Sequence, residues 1–230
     1  TELPNTEVTS TQLKRSFQRY IFARDHSQGG KLVEVGCGGG QGLNLLLDSA
    51  DEIEAYDIDK NNIKICKANY KNIKKIKFIN ADITKIKFAP NTIQTLLLFE
   101  TIYYINDYDR FFHNLKTALQ STGKVIICTA NKNWHAFNPS PFSTRYFSTR
   151  ELHELGKKHS FDVEIFSSFP DKPKNIFDKI KNNIKRFATR FGLIPKTMKM
   201  KLLFKKIFSG EMVILPEKYE VSTADYIPPQ

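Results

Sequence analysis

The part of this chain best suited to chemistry is a glycine-rich turn that follows an apolar run. Gly36, Gly38 and Gly40 alternate behind the acid Glu34. Glycine carries no side chain, so the main chain of such a turn can approach a ligand closely, and a helix that follows directs its positive end at that ligand. The turn therefore predicts a site for a nucleotide-like molecule.

Two carboxylates further along the chain each follow a later apolar run. Asp57 lies 21 positions after Gly36, and Asp82 follows the next run. A carboxylate at the first position can accept hydrogen bonds from both hydroxyls of a ribose. Taken singly, either acid would more often cap a helix or lie in a solvated loop. Their order along the chain, each after an apolar run, favours a nucleoside site.

The spacing of the glycines separates two kinds of nucleotide site. Dinucleotide-binding proteins use Gly-x-Gly-x-x-Gly, and reading from Gly36 places Gln41 where the third glycine is required. A phosphate-binding loop would end in Gly-Lys-Ser/Thr, which is missing here. An NAD-binding oxidoreductase is the nearest competitor, because it also places an acid about 20 residues after its glycines. The missing glycine and the presence of Asp82 argue against it.

The elements that must position these residues follow from the apolar pattern. Short apolar runs alternate with amphipathic ones, which predicts βαβ units and a largely parallel α/β sheet. We expect strands at 31–35, 53–56, 77–80, 93–99, 125–129 and 161–169, with a last strand at 210–215. We expect helices at 11–23, 41–48, 60–70 and 107–119, and a fifth that Thr149 caps and that reaches 158.

Composition sets the broad class of the protein. The chain has 230 residues, of which 40% are hydrophobic, and this favours a single domain over residues 1–230. We expect a cytoplasmic protein, since no apolar run is long enough to span a membrane and the start lacks the layout of a signal peptide. The cysteines Cys37, Cys66 and Cys128 lack the paired spacing of a zinc site, so we expect reduced thiols and no metal.

The positive charge of the chain is concentrated in one segment. Residues 172–206 contain 12 basic side chains and 1 acidic one, a formal +11 that equals the net charge of the whole chain. Apolar residues recur there at helical spacing, so we expect a basic helical insertion over 172–208. Such local basicity predicts one anionic neighbour for this segment and makes nucleic acid an unlikely general partner. The alternative is a helix whose lysines are merely solvated.

The order acid-x-Gly-x-Gly-x-Gly from Glu34 to Gly40 resembles the first motif of the class I S-adenosylmethionine-dependent methyltransferases. The resemblance runs from about Tyr20 to Phe169. It implies a Rossmann-like sheet, mostly parallel, with helices on both faces. The cofactor that it implies is S-adenosylmethionine, with S-adenosylhomocysteine as product. No metal is required, because the cofactor itself supplies the activation.

The same resemblance implies a role for each residue of the cofactor site. The residues concerned are Glu34, Gly36, Cys37, Gly38, Gly40, Asp57, Ile58, Asp82, Ile83 and Phe99. The glycine turn would enclose the methionine part, Asp57 the ribose, and Ile58 one face of the adenine. Asp82 would accept the exocyclic amine while the main chain of Ile83 meets a ring nitrogen. Phe99 would line the pocket of the methyl donor.

The acceptor end of the site has two adjacent tyrosines and one candidate base. Many relatives place a histidine where this chain has Tyr104, so we expect the general base elsewhere, at His135 after the fifth strand. The alternative for His135 is an exposed loop histidine. Tyr103 and Tyr104 are expected to contact the acceptor. The family often covers the methionine end with an N-terminal helix, here within 1–28, and Tyr20 on it is a further acceptor-contact candidate.

Three function classes remain open. The first is methylation of a small molecule, with an oxygen of a sugar-like, nucleotide-linked or lipid-linked acceptor as the expected target. The stretch from Phe137 to Ser148 is similar to a loop of bacterial methyltransferases linked to glycan synthesis. In this class the insertion at 172–208 would cover an anionic acceptor, or residues 174–206 would contact the inner face of a membrane. The others are an RNA methyltransferase and a cofactor-binding module without turnover.

Overall fold

The structure, a computed structural model, describes residues 3–134, 137–140, 142–167, 180, 183–184, 187 and 211–221. The strands in this part are β1 Glu7–Thr9, β2 Lys31–Val35, β3 Glu52–Asp57, β4 Ile76–Asn80, β5 Ile93–Phe99, β6 Leu119–Cys128 and β7 Met212–Ile214. The α-helices whose bounds lie within the described residues are α1 Ser10–His26, α2 Lys60–Asn69, α3 Tyr108–Ala118 and α4 Thr149–Lys158, and residues 180, 183–184 and 187 are also helical. Three 3-10 turns lie at Leu43–Leu46, Ile83–Lys85 and Ile102–Tyr104.

Five of the strands form one parallel sheet in the order β4-β3-β2-β5-β6. The interior strand β5 has six of its seven residues buried, as a strand covered on both faces requires. The chain moves outward from β2 through β3 to β4 and then crosses to β5. This reversal puts a crevice at the carboxyl ends of β2 and β5, where open α/β sheets bind ligands.

Helices cover both faces of the sheet. Phe17 of α1 and Ile63 of α2 pack into the core on one face. Phe112 of α3 packs into the core on the other, with Leu152 of α4 against it. The predicted Rossmann-like α/β fold, with helices on both faces, is therefore confirmed.

A small second sheet joins the two ends of the described chain. Strand β1 pairs antiparallel with β7, with Glu7 opposite Ile214. The predicted strand at 210–215 is thus present in a shorter form, whereas β1 was not predicted. Helix α1 starts directly after β1, because the Thr9 side chain accepts the Gln12 N–H at 3.1 Å in a capping box.

The helix predicted at 41–48 is wrong in type and length. Only Leu43–Leu46 is helical, as a 3-10 turn in which the Leu45 N–H donates to the Gly42 carbonyl at 3.1 Å. Turns at 47–49 follow it before β3 begins at Glu52. The tighter 3-10 form is common in such short pieces.

Residues 161–167 form no strand, so the prediction of a strand at 161–169 is wrong over its described part. Their alternating apolar side chains pack elsewhere: the Phe161 ring lies against Phe112 of α3, with ring centroids 6.1 Å apart, and the Val163 side chain lies beside Gly156 of α4. The apolar residues at every second position thus contact helices in this segment. Residues 168–169 lie outside the described residues.

The predicted cap of the last helix is also wrong by one residue. The Ser148 side chain, not that of Thr149, accepts the Glu151 N–H at 3.2 Å, and the Glu151 carboxylate accepts the Ser148 N–H.

Most of the insertion predicted at 172–208 lies outside the described residues. Within the described ranges, no helix has the length and apolar content that crossing a membrane requires.

Candidate functional site

The glycine turn has the backbone conformation that its sequence predicts. Gly36, Gly38 and Gly40 have φ angles of 76°, 56° and 72°, a region that L side chains rarely adopt. The N–H group of Gly36 donates to the Tyr56 carbonyl at 2.8 Å, which joins the turn to the end of β3. A Cβ atom on Gly36 would overlap the side chain of Thr101. Both the backbone and the neighbouring loop therefore require glycine at this position.

Asp57 connects the glycine turn to the crevice. Its carboxylate is buried at the end of β3 and accepts the Gly38 N–H on Oδ2 and the Asp59 N–H on Oδ1, both at 2.8 Å. Each carboxylate oxygen can accept a second hydrogen bond, so the group is held in place with acceptor capacity remaining for ribose hydroxyls. The next residue, Ile58, is 75% exposed, which leaves a large apolar side chain beside this carboxylate.

Asp82 caps a turn, the role that the sequence analysis gave as the alternative to contact with a nucleoside. Its Oδ1 accepts the Thr84 N–H at 3.0 Å and the Thr84 hydroxyl at 2.6 Å, capping the 3-10 turn that contains Ile83. These two bonds lower the pKa of Asp82, and the bond from the Thr84 hydroxyl has the larger effect. Asp82 and Ile83 lie two and three positions after the end of β4, on the same sheet edge as Asp57. Their contacts with adenine stay a prediction.

Glu34 is the most perturbed acid of the site. It is buried in β2, and its Oε1 accepts the Tyr20 hydroxyl at 2.6 Å. Its Oε2 is buried with no hydrogen-bond partner among the described residues. Burial raises the pKa of Glu34 to about 8; the bond from Tyr20 opposes this rise, and the charge of Asp57 adds to it. A cation brought close to this carboxyl group would favour its ionised form.

Tyr20 lies behind the glycine turn. Its ring is buried edge-on to Phe99, with centroids 5.2 Å apart, and a Cβ atom on Gly42 would overlap it. Burial, and then the charge of Glu34, raise the pKa of the Tyr20 hydroxyl. The structure thus shows Tyr20 as the partner of a buried acid, while its predicted contact with the acceptor stays a prediction.

An ion pair that the sequence analysis missed lies at the end of β5. Arg19 Nη2 lies 3.0 Å from Glu100 Oε1, with the two side chains 22% and 32% exposed. Glu100 follows Phe99 directly and has a φ of 49°, unusual for a residue with a side chain. Strained backbone of this kind clusters at functional sites. The position of Glu100 directly after a predicted central strand is the signal that could have revealed it.

The two tyrosines predicted to contact the acceptor differ in exposure. Tyr103 is buried against Tyr146, with ring centroids 4.3 Å apart, whereas Tyr104 is 46% exposed. The Thr144 N–H donates to the Tyr103 carbonyl at 2.8 Å, which holds the loop after β6 against this pair. Contact with an acceptor stays a prediction for both tyrosines. His135, the predicted base, lies outside the described residues.

The chain after β7 supports the glycine turn from behind. The Tyr219 N–H donates to the Gln41 carbonyl at 2.9 Å, and the Tyr219 carbonyl accepts the Asn44 side-chain amide at 2.7 Å. Its hydroxyl donates to the Ser16 hydroxyl at 2.6 Å, so the same residue also contacts α1. No local pattern in the sequence marks Tyr219 as part of the site.

The crevice fits a cationic nucleoside. A buried oxygen of Glu34 lacks a partner in the described part of the chain, the Asp57 carboxylate keeps acceptor capacity after its bond from the Gly38 N–H, and the apolar side chain of Ile58 is exposed beside it. In the part of the chain that the structure describes, no three histidine, cysteine, aspartate or glutamate side chains are grouped to hold a metal ion.

Comparison with known proteins agrees with this chemistry. Residues 33–127 match the family described as "Methyltransferase domain". A ribosomal RNA small subunit methyltransferase A of Mesomycoplasma hyopneumoniae is 26% identical over 76% of this chain. A protein named as an S-adenosylmethionine-dependent methyltransferase in Mycolicibacterium smegmatis is 25% identical over 59% of this chain. This chain spans 65% and 53% of the lengths of these two relatives.

A solved structure has the same fold. The crystal structure of a SAM-dependent methyltransferase from Aquifex aeolicus matches 69% of this chain and 87% of its own, with a TM-score of 0.57. The sequence identity is 17%. At this identity the likeness concerns the fold alone.

Proposed function

We propose that the chain is a class I S-adenosylmethionine-dependent methyltransferase, as its match over residues 33–127 and its named relatives support, and that it methylates a small molecule. The acceptor atom in this proposal is an oxygen of a sugar-like, nucleotide-linked or lipid-linked compound. One observation carries the choice of a small acceptor: α1 reaches across the end of β5, where Arg19 contacts Glu100 at 3.0 Å. A helix over this end of the crevice favours a compact acceptor over a polynucleotide.

The residues of the cofactor half have distinct tasks in this proposal. S-adenosylmethionine supplies a methyl group that its sulfonium already activates. Asp57 accepts the ribose hydroxyls, Ile58 packs on the adenine, and the carboxyl group of Glu34 offsets positive charge beneath the glycine turn. The protein mainly has to hold donor and acceptor in line and exclude water.

The acceptor half is formed by the ends of β5 and β6. Tyr104, Arg19 and Glu100 present polar groups there, and His135 remains the proposed general base for an acceptor hydroxyl. We retain the basic segment 172–208 as the proposed cover for an anionic acceptor, with 174–206 contacting an anionic lipid surface where the acceptor is lipid-linked.

RNA methylation is the second candidate, because one relative is named as a ribosomal RNA methyltransferase. The positive charge of the chain also permits it. The end of β5 argues against methylation of a base nitrogen: it reads Phe99-Glu100-Thr101, without the Asn/Asp-Pro-Pro-aromatic signature used for that reaction. A module that binds the cofactor without turnover is the third candidate.

A labelling experiment distinguishes the three. The protein is incubated with S-adenosylmethionine carrying a labelled methyl group and with three separate bacterial fractions: small molecules, lipids and protein-free RNA. We expect label in the small-molecule or lipid fraction, and much less with an Asp57→Asn variant. Label confined to RNA would contradict the proposal in favour of the second candidate. Cofactor binding without label in any fraction would favour the third.

A further inference from the structure

Helix α2 and the turns after it carry an unusual number of lysines. Residues 60–81 contain seven lysines, no arginine and no acidic residue. The remaining residues of 1–171 contain 15 basic and 19 acidic side chains, a formal −4. The positive charge of residues 1–171 is therefore concentrated in the segment that forms α2 and β4.

Five of these lysines form one exposed surface, the lysine face. Three lie on α2 at steps of four and three residues, which puts them on one side of the helix, and two lie in the turns between α2 and β4: Lys60, Lys64, Lys67, Lys71 and Lys74. All five residues are exposed, while Ile63 and Cys66 on the other side of α2 are buried in the core. The lysine face thus points away from the sheet.

The lysine face has no internal counter-charge within the described residues. None of its five ammonium groups pairs with a carboxylate there, whereas Lys77 on β4 lies 3.4 Å from Glu52 Oε2. The adjacent acid, Asp59, accepts the N–H group two residues further on and so caps α2. Like charges at a spacing of three or four residues on a helix repel one another. An external polyanion would relieve this repulsion.

The residue types favour a lipid surface over nucleic acid as that polyanion. Proteins that bind single-stranded nucleic acid combine a charged groove with aromatic side chains, and duplex readers use the forked donors of arginine. Tyr70 and Phe78 are the aromatic residues of 60–81, and neither is exposed. Lysine carries a strongly hydrated point charge, which suits attraction to an anionic surface across a layer of water.

We propose that the lysine face docks on a membrane surface that contains anionic phospholipids, with α2 lying along that surface. The apolar side of α2 already packs against the sheet, so the contact is electrostatic and inserts no apolar side chain. Lys60 lies three positions after Asp57, which places the crevice at one end of the docked helix. The inference goes beyond the proposed function, because this surface would hold the protein at a membrane whatever acceptor it methylates.

Sedimentation with lipid vesicles tests the lysine face. The full chain is mixed with vesicles of phosphatidylglycerol and phosphatidylcholine in equal parts, or of phosphatidylcholine alone. We expect binding to the anionic vesicles only, and weaker binding as salt screens the charges. Replacing two lysines together, Lys64→Gln with Lys67→Gln, should weaken binding about 25-fold, roughly 5-fold for each lysine. Urea unfolding checks that the variant keeps its fold.

Two further double variants are the controls. Lys64→Arg with Lys67→Arg keeps both positive charges and should bind as the wild type does. Lys116→Gln with Lys124→Gln removes the same charge from exposed lysines of α3 and β6 and should also bind as the wild type does. An equal loss of affinity in this last variant would overturn the proposal, because net charge alone would then explain the binding.

The proposal also fails if the wild type does not bind anionic vesicles, or binds both kinds of vesicle equally. Equal affinity of the wild type and Lys64→Gln with Lys67→Gln would assign the binding to another part of the chain, such as the basic segment 172–208. A parallel titration uses protein-free RNA. RNA binding that depends on Lys64 and Lys67, without binding to vesicles, would overturn the proposal in favour of nucleic acid.

Discussion

Asp57 is the side chain through which the cofactor site can be tested most selectively. Asp57→Asn keeps one acceptor oxygen for the Gly38 N–H, loses the acceptor for the Asp59 N–H and removes the charge offered to the ribose. We expect the Kd for S-adenosylhomocysteine to rise about 10- to 100-fold, since a hydrogen bond to a charged group contributes about 1.5–3 kcal/mol. Calorimetric titration measures this change.

The matched control is two residues away. Asp59 caps α2 by accepting the Asn61 N–H at 2.8 Å, and asparagine caps a helix equally well. Asp59→Asn should therefore leave both affinity and stability unchanged. An equal loss of affinity in both variants would show that general loss of charge, and not a ribose contact, is responsible.

Glu34 should make the stability of the ligand-free protein depend on pH. The pKa of Glu34 is about 8 in the folded protein, against 4.5 for the same side chain in an unfolded chain. Between pH 4.5 and 8 the folded state therefore holds a proton that the unfolded state has released. The contribution of Glu34 is therefore fully present below pH 4.5 and is lost as pH rises towards 8.

The glutamine side chain of Glu34→Gln stays neutral at every pH in this range, so the variant lacks this proton release. We expect its free energy of unfolding to rise relative to that of the wild type by up to about 1.4 kcal/mol per pH unit between pH 5 and 8. Urea unfolding at several pH values measures the difference, in which the other titrating groups cancel. A constant difference across this range would contradict the assignment.

At the scale of elements, the last helix tests the observed cap against the predicted one. Ser148 makes the capping box with Glu151, whereas Thr149 is the first residue inside α4. Ser148→Ala should lower the free energy of unfolding by about 1 kcal/mol. Thr149→Ala, the matched control, should change it by less than about 0.5 kcal/mol. If urea unfolding showed a larger loss of stability in Thr149→Ala than in Ser148→Ala, Thr149 would be the cap, as the sequence predicted.

The elements also show what the sequence can predict. The strands that carry the glycine turn, Asp57 and Glu100 were predicted because a buried parallel strand is a local apolar run with a polar end. The pair Arg19–Glu100 was missed, because its members are 81 positions apart and no local pattern connects them. The strand expected at 161–169 failed because alternating apolar residues also suit contacts with helices, as Phe161 shows.

At the scale of the whole molecule, the two ends of the described chain meet behind the glycine turn. Tyr219 is buried against Phe17 and Tyr20 and bonds to Ser16, 203 positions away. We expect Tyr219→Ala to lower the free energy of unfolding by about 3–5 kcal/mol, as for other large buried aromatic residues. It should also weaken S-adenosylhomocysteine binding below the unfolding temperature, because without the buried ring the backbone N–H of residue 219 is held less firmly against the Gln41 carbonyl beside the glycine turn.

Val221 in the same segment is the control. Its side chain is 58% exposed, so Val221→Ala should change stability by less than about 0.5 kcal/mol and leave the affinity as it is. A stable Tyr219→Ala protein with unaltered affinity would show that the segment after β7 only covers the surface.

The central claim is that the crevice at the carboxyl ends of β2, β3 and β5 binds a sulfonium nucleoside. Calorimetric titration of the wild type with S-adenosylmethionine, S-adenosylhomocysteine and NAD tests it directly. We expect saturable binding of both sulfur nucleosides at one site and no binding of NAD. Tight NAD binding with no heat from either sulfur nucleoside would contradict the assignment of the glycine turn, Asp57 and Glu34.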